Sequence, residues 1–224
     1  MDCLIRGNLF GKELICGNTR LMFTVPKAKK SMSSMYIFGM VRKDVNLFLK
    51  KKKGKISKVR WKPSVYWNPS LRDEKRKVMG IDVDGAYWKI AYEMGVISKQ
   101  TFDHGLLIKE KNIRLAALAN LGSDKIYTRI KDGKLTDEIV VVRGNDTLKQ
   151  LYKSIRYKCF RYMEQLASML GDDFVCYKTD CIYFYSSAHN SQIVRKFLEK
   201  HRFDYKVLKD FSTPEEPEEI DFSL

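Results

Sequence analysis

With 224 residues, 44% of them hydrophobic, the chain is long enough to bury the core of one domain with an extension, and no apolar run approaches membrane-spanning length. Its formal charge of +15 is unevenly placed: residues 1–80 hold 20 Lys and Arg against 5 Asp and Glu, whereas the remainder holds 22 of each. A basic third ahead of a neutral globular portion points to a polyanionic partner and away from a membrane, and the absence of a signal peptide's apolar stretch near the start points to a cytoplasmic protein.

Five cysteines (Cys3, Cys16, Cys159, Cys176, Cys181) make an odd set without a CxxC, and the three histidines are scattered, so neither a zinc site nor a disulfide framework is expected. In chain order, residues 13–26 read as two short strands around a Gly17–Asn18 turn. Residues 27–34 are a polar link. Residues 35–41 and 45–50 read as a second strand pair, joined through Arg42, Lys43 and Asp44. The stretch 50–69 interleaves Lys50, Lys51, Lys52, Lys53, Lys55, Lys58, Arg60 and Lys62 with Trp61, Tyr66 and Trp67. Cations there neutralise phosphates while rings stack on bases, which favours DNA or another nucleic acid; the plain alternative is a solubilising lysine run at a hairpin tip. Pro63 and Pro69 then break the pattern, so residues 1–76 are expected to form a small, basic, β-rich, nucleic-acid-contacting element.

The rest of the chain is organised around residues 79–95. Residues 78–83 alternate as a buried strand, and Asp82 and Asp84 lie two apart, on one face of an extended segment. Gly85 then releases the chain into an amphipathic helix. Two carboxylates at the end of a buried strand need a cation or a basic group between them, or they cap the helix. A short helical turn at 98–105 and a helix ending at Gly122 follow. Next come a hairpin turning at Asp132–Gly133 and a long helix over 146–170, with Leu148, Leu151, Ile155, Cys159, Met163, Leu166 and Leu170 on one face. Two strands meet at Lys178, Thr179 and Asp180, and a helix over 191–202 and a strand over 204–211 complete the fold. The expected class is α+β: over residues 77–210, a mainly antiparallel sheet with helices on one face, then an acidic tail at 211–224.

A strand bearing Asp that leads into a helix, a basic helix ending in Gly, and a hairpin with Asp at its turn together resemble the palm of family B DNA polymerases, compact and phage-type. DVDGAY places Asp82 where that family has its metal-binding carboxylate and Tyr87 where an aromatic packs under the sugar. RLAALANLG, residues 114–122, keeps the spacing from a basic residue to Gly, with Ala119 and Leu121 in place of Ser and Tyr. CYKTDC keeps Thr179 and Asp180, with Lys178 where the first Asp of the turn stands. No proofreading motif precedes these, and too little chain follows Asp180 for a full thumb.

The resemblance implies Mg²⁺-dependent nucleotidyl transfer from deoxynucleotides in phage or plasmid replication, on a two-metal site that Mn²⁺ also fits. Asp82 and Asp180 would be the catalytic metal ligands, and Asp84 would replace the carboxylate lost at Lys178, unless Lys178 pairs with Asp180 and silences the site. Lys111 and Arg114, three apart on a helix, would grip the triphosphate with Lys178 nearby. The tail at 212–224 is similar to those by which single-stranded-DNA-binding proteins dock on partner enzymes, which implies a replication protein as partner or the chain's own basic third. Two alternatives stand beside this: an RNase H-like two-metal nuclease, if residues 86–95 continue as strand, and a palm-shaped nucleic-acid-binding protein without catalysis.

Overall fold

Three short strands open the chain in the computed structural model, which describes residues 2–8, 11–24, 32–60, 62–70, 76–108 and 111–211. β1 (Cys3–Asn8), β2 (Gly11–Cys16) and β3 (Thr19–Thr24) form an antiparallel meander, with Gly17 at φ +58° making the β2–β3 turn read from the sequence. β1 was not foreseen, and with it came a disulfide that the odd cysteine count argued against. Cys3 and Cys16 are direct partners across β1 and β2 with Cα atoms 4.4 Å apart, a separation that suits a bridge. Cys159, Cys176 and Cys181 remain buried thiols.

The strand pair expected at 35–41 and 45–50 is instead a single helix, α1 (Met32–Lys51). Ile37, Val41 and Val45 are spaced by four and wholly buried, one apolar stripe of a helix. Arg42, Lys43 and Asp44, read as a joining turn, contain no residue that breaks a helix. Asp44 accepts the Ser98 backbone N–H at 2.7 Å.

A short strand at Val65–Trp67, between the prolines read as breaking the pattern, was not foreseen; beyond it the order of elements follows the expectation. The chain runs through β4 (Val65–Trp67), β5 (Val78–Val83), α2 (Ala86–Glu93), α3 (Lys99–Leu106), α4 (Lys111–Ala119), the hairpin β6 (Lys125–Lys131) and β7 (Lys134–Val142), α5 (Asp146–Leu170), β8 (Phe174–Lys178), β9 (Cys181–Tyr185), α6 (Ala188–Lys200) and β10 (Tyr205–Phe211). Asp132 and Gly133, at φ 49° and 76°, make the β6–β7 turn. The class is α+β, with six helices and two antiparallel five-stranded sheets among the described residues. A single mainly antiparallel sheet was expected from residue 79 onward. The β6–β7 hairpin instead pairs with β1, giving the order β3-β2-β1-β6-β7, while the second sheet runs β10-β5-β9-β8-β4.

The chain divides into two compact units, Met1–Val59 with Ala91–Ser154 and Arg60–Ile90 with Ile155–Leu224, the three divisions falling between α1 and β4, within α2 and within α5. In the first unit, Ile37, Val41, Val45, Leu118 and Leu151 are buried. In the second, Ile81, Ile155, Met163, Leu166, Val175 and Phe184 are buried. Gly122 was read as the end of a helix, but α4 stops at Ala119; a Cβ on Gly122 would run into the backbone of Leu148 and Lys149 at the start of α5. Among the described residues no helix is long and apolar enough to cross a membrane. The acidic tail at 212–224 lies outside the described residues.

Candidate functional site

The site is built at one end of the second sheet, where β5 runs out. Strand β5 alternates, so Val78, Gly80 and Asp82 share one face, and each has a direct partner on both neighbouring strands. Gly80 faces Tyr183 on β9 and Leu208 on β10, and a Cβ there would sit 3.0 Å from the Tyr183 ring, so glycine is what lets the ring lie over the strand. Asp82 is partnered by Cys181 on β9 and Lys206 on β10; Cys181 is in turn partnered by Lys178 on β8. One row across four strands therefore reads Lys206, Asp82, Cys181, Lys178. Like-facing positions of this kind are close enough for charges to interact.

Asp180 enters through the β8–β9 turn. The Val83 backbone N–H donates to the Asp180 carbonyl at 3.0 Å, which ties the turn to the end of β5. The Asp180 carboxylate accepts from Thr179 Oγ1 at 2.9 Å. Thr179 itself sits at φ 57°, a left-handed conformation costly for a β-branched residue, on the order of 1–3 kcal/mol, and held here by its backbone N–H donating to the Ser64 carbonyl. Strain of this kind persists only where its surroundings impose it. Both carboxylates act on the same thiol: burial pushes Cys181 up to about 11, a hydrogen bond with Tyr183 opposes this, and the negative charges of Asp82 and Asp180 add to it. Burial also raises Cys159 on α5, Asp180 adding to it, and its Sγ lies 3.9 Å from the Thr179 carbonyl.

Asp82 thus lies at the end of β5 and Asp180 in the β8–β9 turn beside it, joined through the Val83–Asp180 backbone hydrogen bond. Asp84 falls just past β5, in the turn before α2, where its backbone N–H donates to the Asp204 carbonyl at 2.8 Å. Among the described residues no three His, Cys, Asp or Glu side chains are grouped to hold a metal ion. Carboxylate oxygens of the kind Asp82 and Asp180 carry suit a hard divalent ion keeping several waters and taking further oxygens from phosphates. A Mg²⁺ or Mn²⁺ ion held by Asp82 and Asp180 would supply Lewis-acid stabilisation to a phosphoryl oxygen.

The other residues singled out from the sequence are distributed over both units. Tyr87, in the first turn of α2, is buried at 9% exposure. Lys111 and Arg114 belong to α4 in the first unit, and Arg114 donates to the Gly105 carbonyl at the end of α3, 3.3 Å away. Lys50 and Lys51 close α1, where cations complement the helix dipole, and Lys52 and Lys53 form the following turn with Gly54. The lysine run therefore sits at a helix C-terminus, not at a hairpin tip. Lys55, Lys58 and Arg60 are exposed. Lys62 is engaged, paired with Glu164 and lying 5.5 Å from the centre of the Tyr157 ring. Trp67 packs against a buried cluster of Val78, Val175, Cys176 and Tyr185. Tyr66 is the exposed ring of this region, stacked on Phe174 and Tyr177. Trp61 lies outside the described residues.

Lys206 was missed by sequence reasoning. Its strand is visible in the alternation of residues 204–211, but its place beside Asp82 depends on β5–β10 pairing across more than a hundred residues, which no local pattern encodes. Glu13, Arg6 and Arg20 were missed as well: Glu13 is wholly buried and paired with both guanidinium groups. No protein-family model, no curated protein and no solved structure matches this chain.

Proposed function

We propose that the second unit carries a divalent-cation-dependent nucleotidyl-transfer site acting on nucleic acid, arranged like a reduced palm of the family B DNA polymerase type. The observation that carries this reading is the junction of β5 with the β8–β9 turn: Asp82 paired beside Cys181, and Val83 hydrogen-bonded to Asp180. Asp82 and Asp180 bind the cation. Lys178 and Lys206, flanking them in the same row, offset the charge of an incoming triphosphate. The helix at Ala86–Glu93 favours this reading over an RNase H-like nuclease, which would continue there as strand. The buried ring of Tyr87 fits a packing role at least as well as a surface beneath the sugar.

A second reading has its own observation. Lys206 is the cross-strand neighbour of Asp82 and brings a cation within reach of it, so the carboxylate can be compensated without a metal and the unit can bind nucleic acid without catalysis. Calorimetric titration with Mn²⁺ in the presence of a deoxynucleoside triphosphate separates the two. Catalysis requires binding that is lost in both Asp82→Asn and Asp180→Asn with circular dichroism unchanged, together with primer extension lost in the same variants. A wild-type chain that takes up no Mn²⁺ under these conditions rules out the transfer reaction and leaves the binding protein.

A further inference from the structure

The two faces of the first unit's sheet differ sharply in chemistry. One face bears Arg6, Glu13, Tyr127 and Arg129 in paired or alternate positions. The opposite face follows from the same pairings: Ile5 with Leu14, Leu14 with Leu21, Lys12 with Phe23, Ile5 with Thr128, Thr128 with Ile139, and Ile126 with Val141. On it Leu21, Phe23, Ile126, Leu135, Ile139 and Val141 are between 47% and 68% exposed. Single exposed apolar side chains are ordinary, but six of them on one face of one sheet, with the half-buried Ile5 and Leu14 on the strands between, make an apolar surface of the kind that marks an interaction site. An antiparallel sheet normally turns its apolar face to a core and its polar face to water. Here the face rich in Leu, Ile and Val is the accessible one.

We propose that this face is where two copies of the chain associate, sheet against sheet. Charge argues for a second copy. The chain carries +15, so most approaches between two copies bring like charges together. On this face the paired positions carry one ionisable residue, Lys12, and alternation adds Asp137 of opposite sign between Leu135 and Ile139, so here two copies can meet with little electrostatic opposition. Size argues the same way. Five strands at about 4.8 Å spacing and six residues at about 3.3 Å rise give a footprint of roughly 24 by 20 Å, or about 480 Å² per copy. Two such footprints make about 1,000 Å², the lower bound for a specific interface, and two sheets of equal twist stack with nearly aligned strands. A two-fold axis through the face makes the patch its own complement and closes the assembly at two. The area places the affinity at the weak end, on the order of 10 µM.

Sedimentation equilibrium on the full chain, freed of nucleic acid by nuclease treatment, tests the proposal. The weight-average mass is expected to rise from one chain toward two as concentration passes through the micromolar range. Added salt should strengthen the association, because it screens the repulsion between the two basic chains and leaves apolar burial in place. Ile126→Lys and Ile139→Lys, at positions already open to water, should weaken association at least tenfold. Ile139→Thr, which keeps a β-branched residue in the strand, should do so in the same direction with the melting temperature held. A wild-type chain that stays monomeric throughout, a dimer unchanged in the lysine variants, or a dimer that salt dissociates would each overturn the proposal; the last indicates copies bridged by a polyanion. None of these outcomes bears on the carboxylate site, which lies in the other unit.

Discussion

Replacing Glu13 with Gln removes the negative centre of a cluster that the first unit's sheet is built around. Glu13 is wholly buried, while Arg6 and Arg20 are 21% and 55% exposed, and Tyr127 Oη lies 3.4 Å from the same carboxylate. Burial pushes the Glu13 carboxyl up, but the hydrogen bonds and charges of Arg6 and Arg20 outweigh it and hold the group below its ordinary range. Removing one partner of a buried ion pair costs about 3–5 kcal/mol. Arg20 is half exposed and recovers hydration in the variant, whereas Arg6 recovers only part, so the expected loss is at the lower end, about 3 kcal/mol. For a chain of this size that lowers the melting temperature by about 6–12 °C. The sign with pH follows from the depressed carboxyl. Its stabilisation is fully present above the unfolded value near 4.3 and is lost as pH falls through the lower folded value. Urea unfolding of wild type and Glu13→Gln followed by circular dichroism should show the full gap at pH 7 and a narrowing gap as pH drops below about 4. A gap under about 1 kcal/mol at pH 7, or one that does not change with acid, would refute the view that Glu13 is ionised and held by both arginines.

Gly122→Ala is expected to destabilise the chain by about 3 kcal/mol or more, because the added methyl meets the backbone of Leu148 and Lys149 and not a side chain able to turn away; a melting temperature within a degree of wild type would contradict this. Reversing the charge of Lys50, Lys51, Lys52 and Lys53 should weaken binding to single-stranded DNA of any sequence and flatten its dependence on salt, measured by fluorescence anisotropy. Affinity that survives the reversal would leave the run as the C-terminal charge complement of α1.

What was legible in the sequence was local. The β8–β9 hairpin, the strand-to-helix passage at Asp82–Gly85 and the long helix α5 each announce themselves within a dozen residues, through turn residues or a three-and-four spacing. Residues 35–50 were misread because their apolar residues also fit two short strands, and Arg42, Lys43 and Asp44 look like a polar turn when the four-residue spacing of Ile37, Val41 and Val45 is not given priority. Pairing between distant strands was not legible at all. Nothing within residues 125–142 says that the hairpin joins β1, and β1 itself, CLIRGN, alternates too briefly to stand out. The disulfide was hidden for the same reason, since Cys3 meets Cys16 only once β1 exists.

The same distinction between local and distant pairing bears on how the carboxylate pair can work. Asp180 sits in its own turn: Thr179 Oγ1 lies 2.7 Å from the Lys178 carbonyl and 2.9 Å from the Asp180 carboxylate, two acceptors for one hydroxyl proton, while the Thr179 backbone N–H donates to Ser64 in a left-handed conformation that Asn or Gly would adopt with less strain. Asp82, by contrast, takes its surroundings from strands far away in sequence, with Cys181 on one side and Lys206 on the other. On the proposed reading one carboxylate is set by a tight turn and the other by the sheet, so the two respond to different perturbations. Changes at Thr179 should act first on the β8–β9 turn that carries Asp180, and changes at Lys206 on the charge beside Asp82.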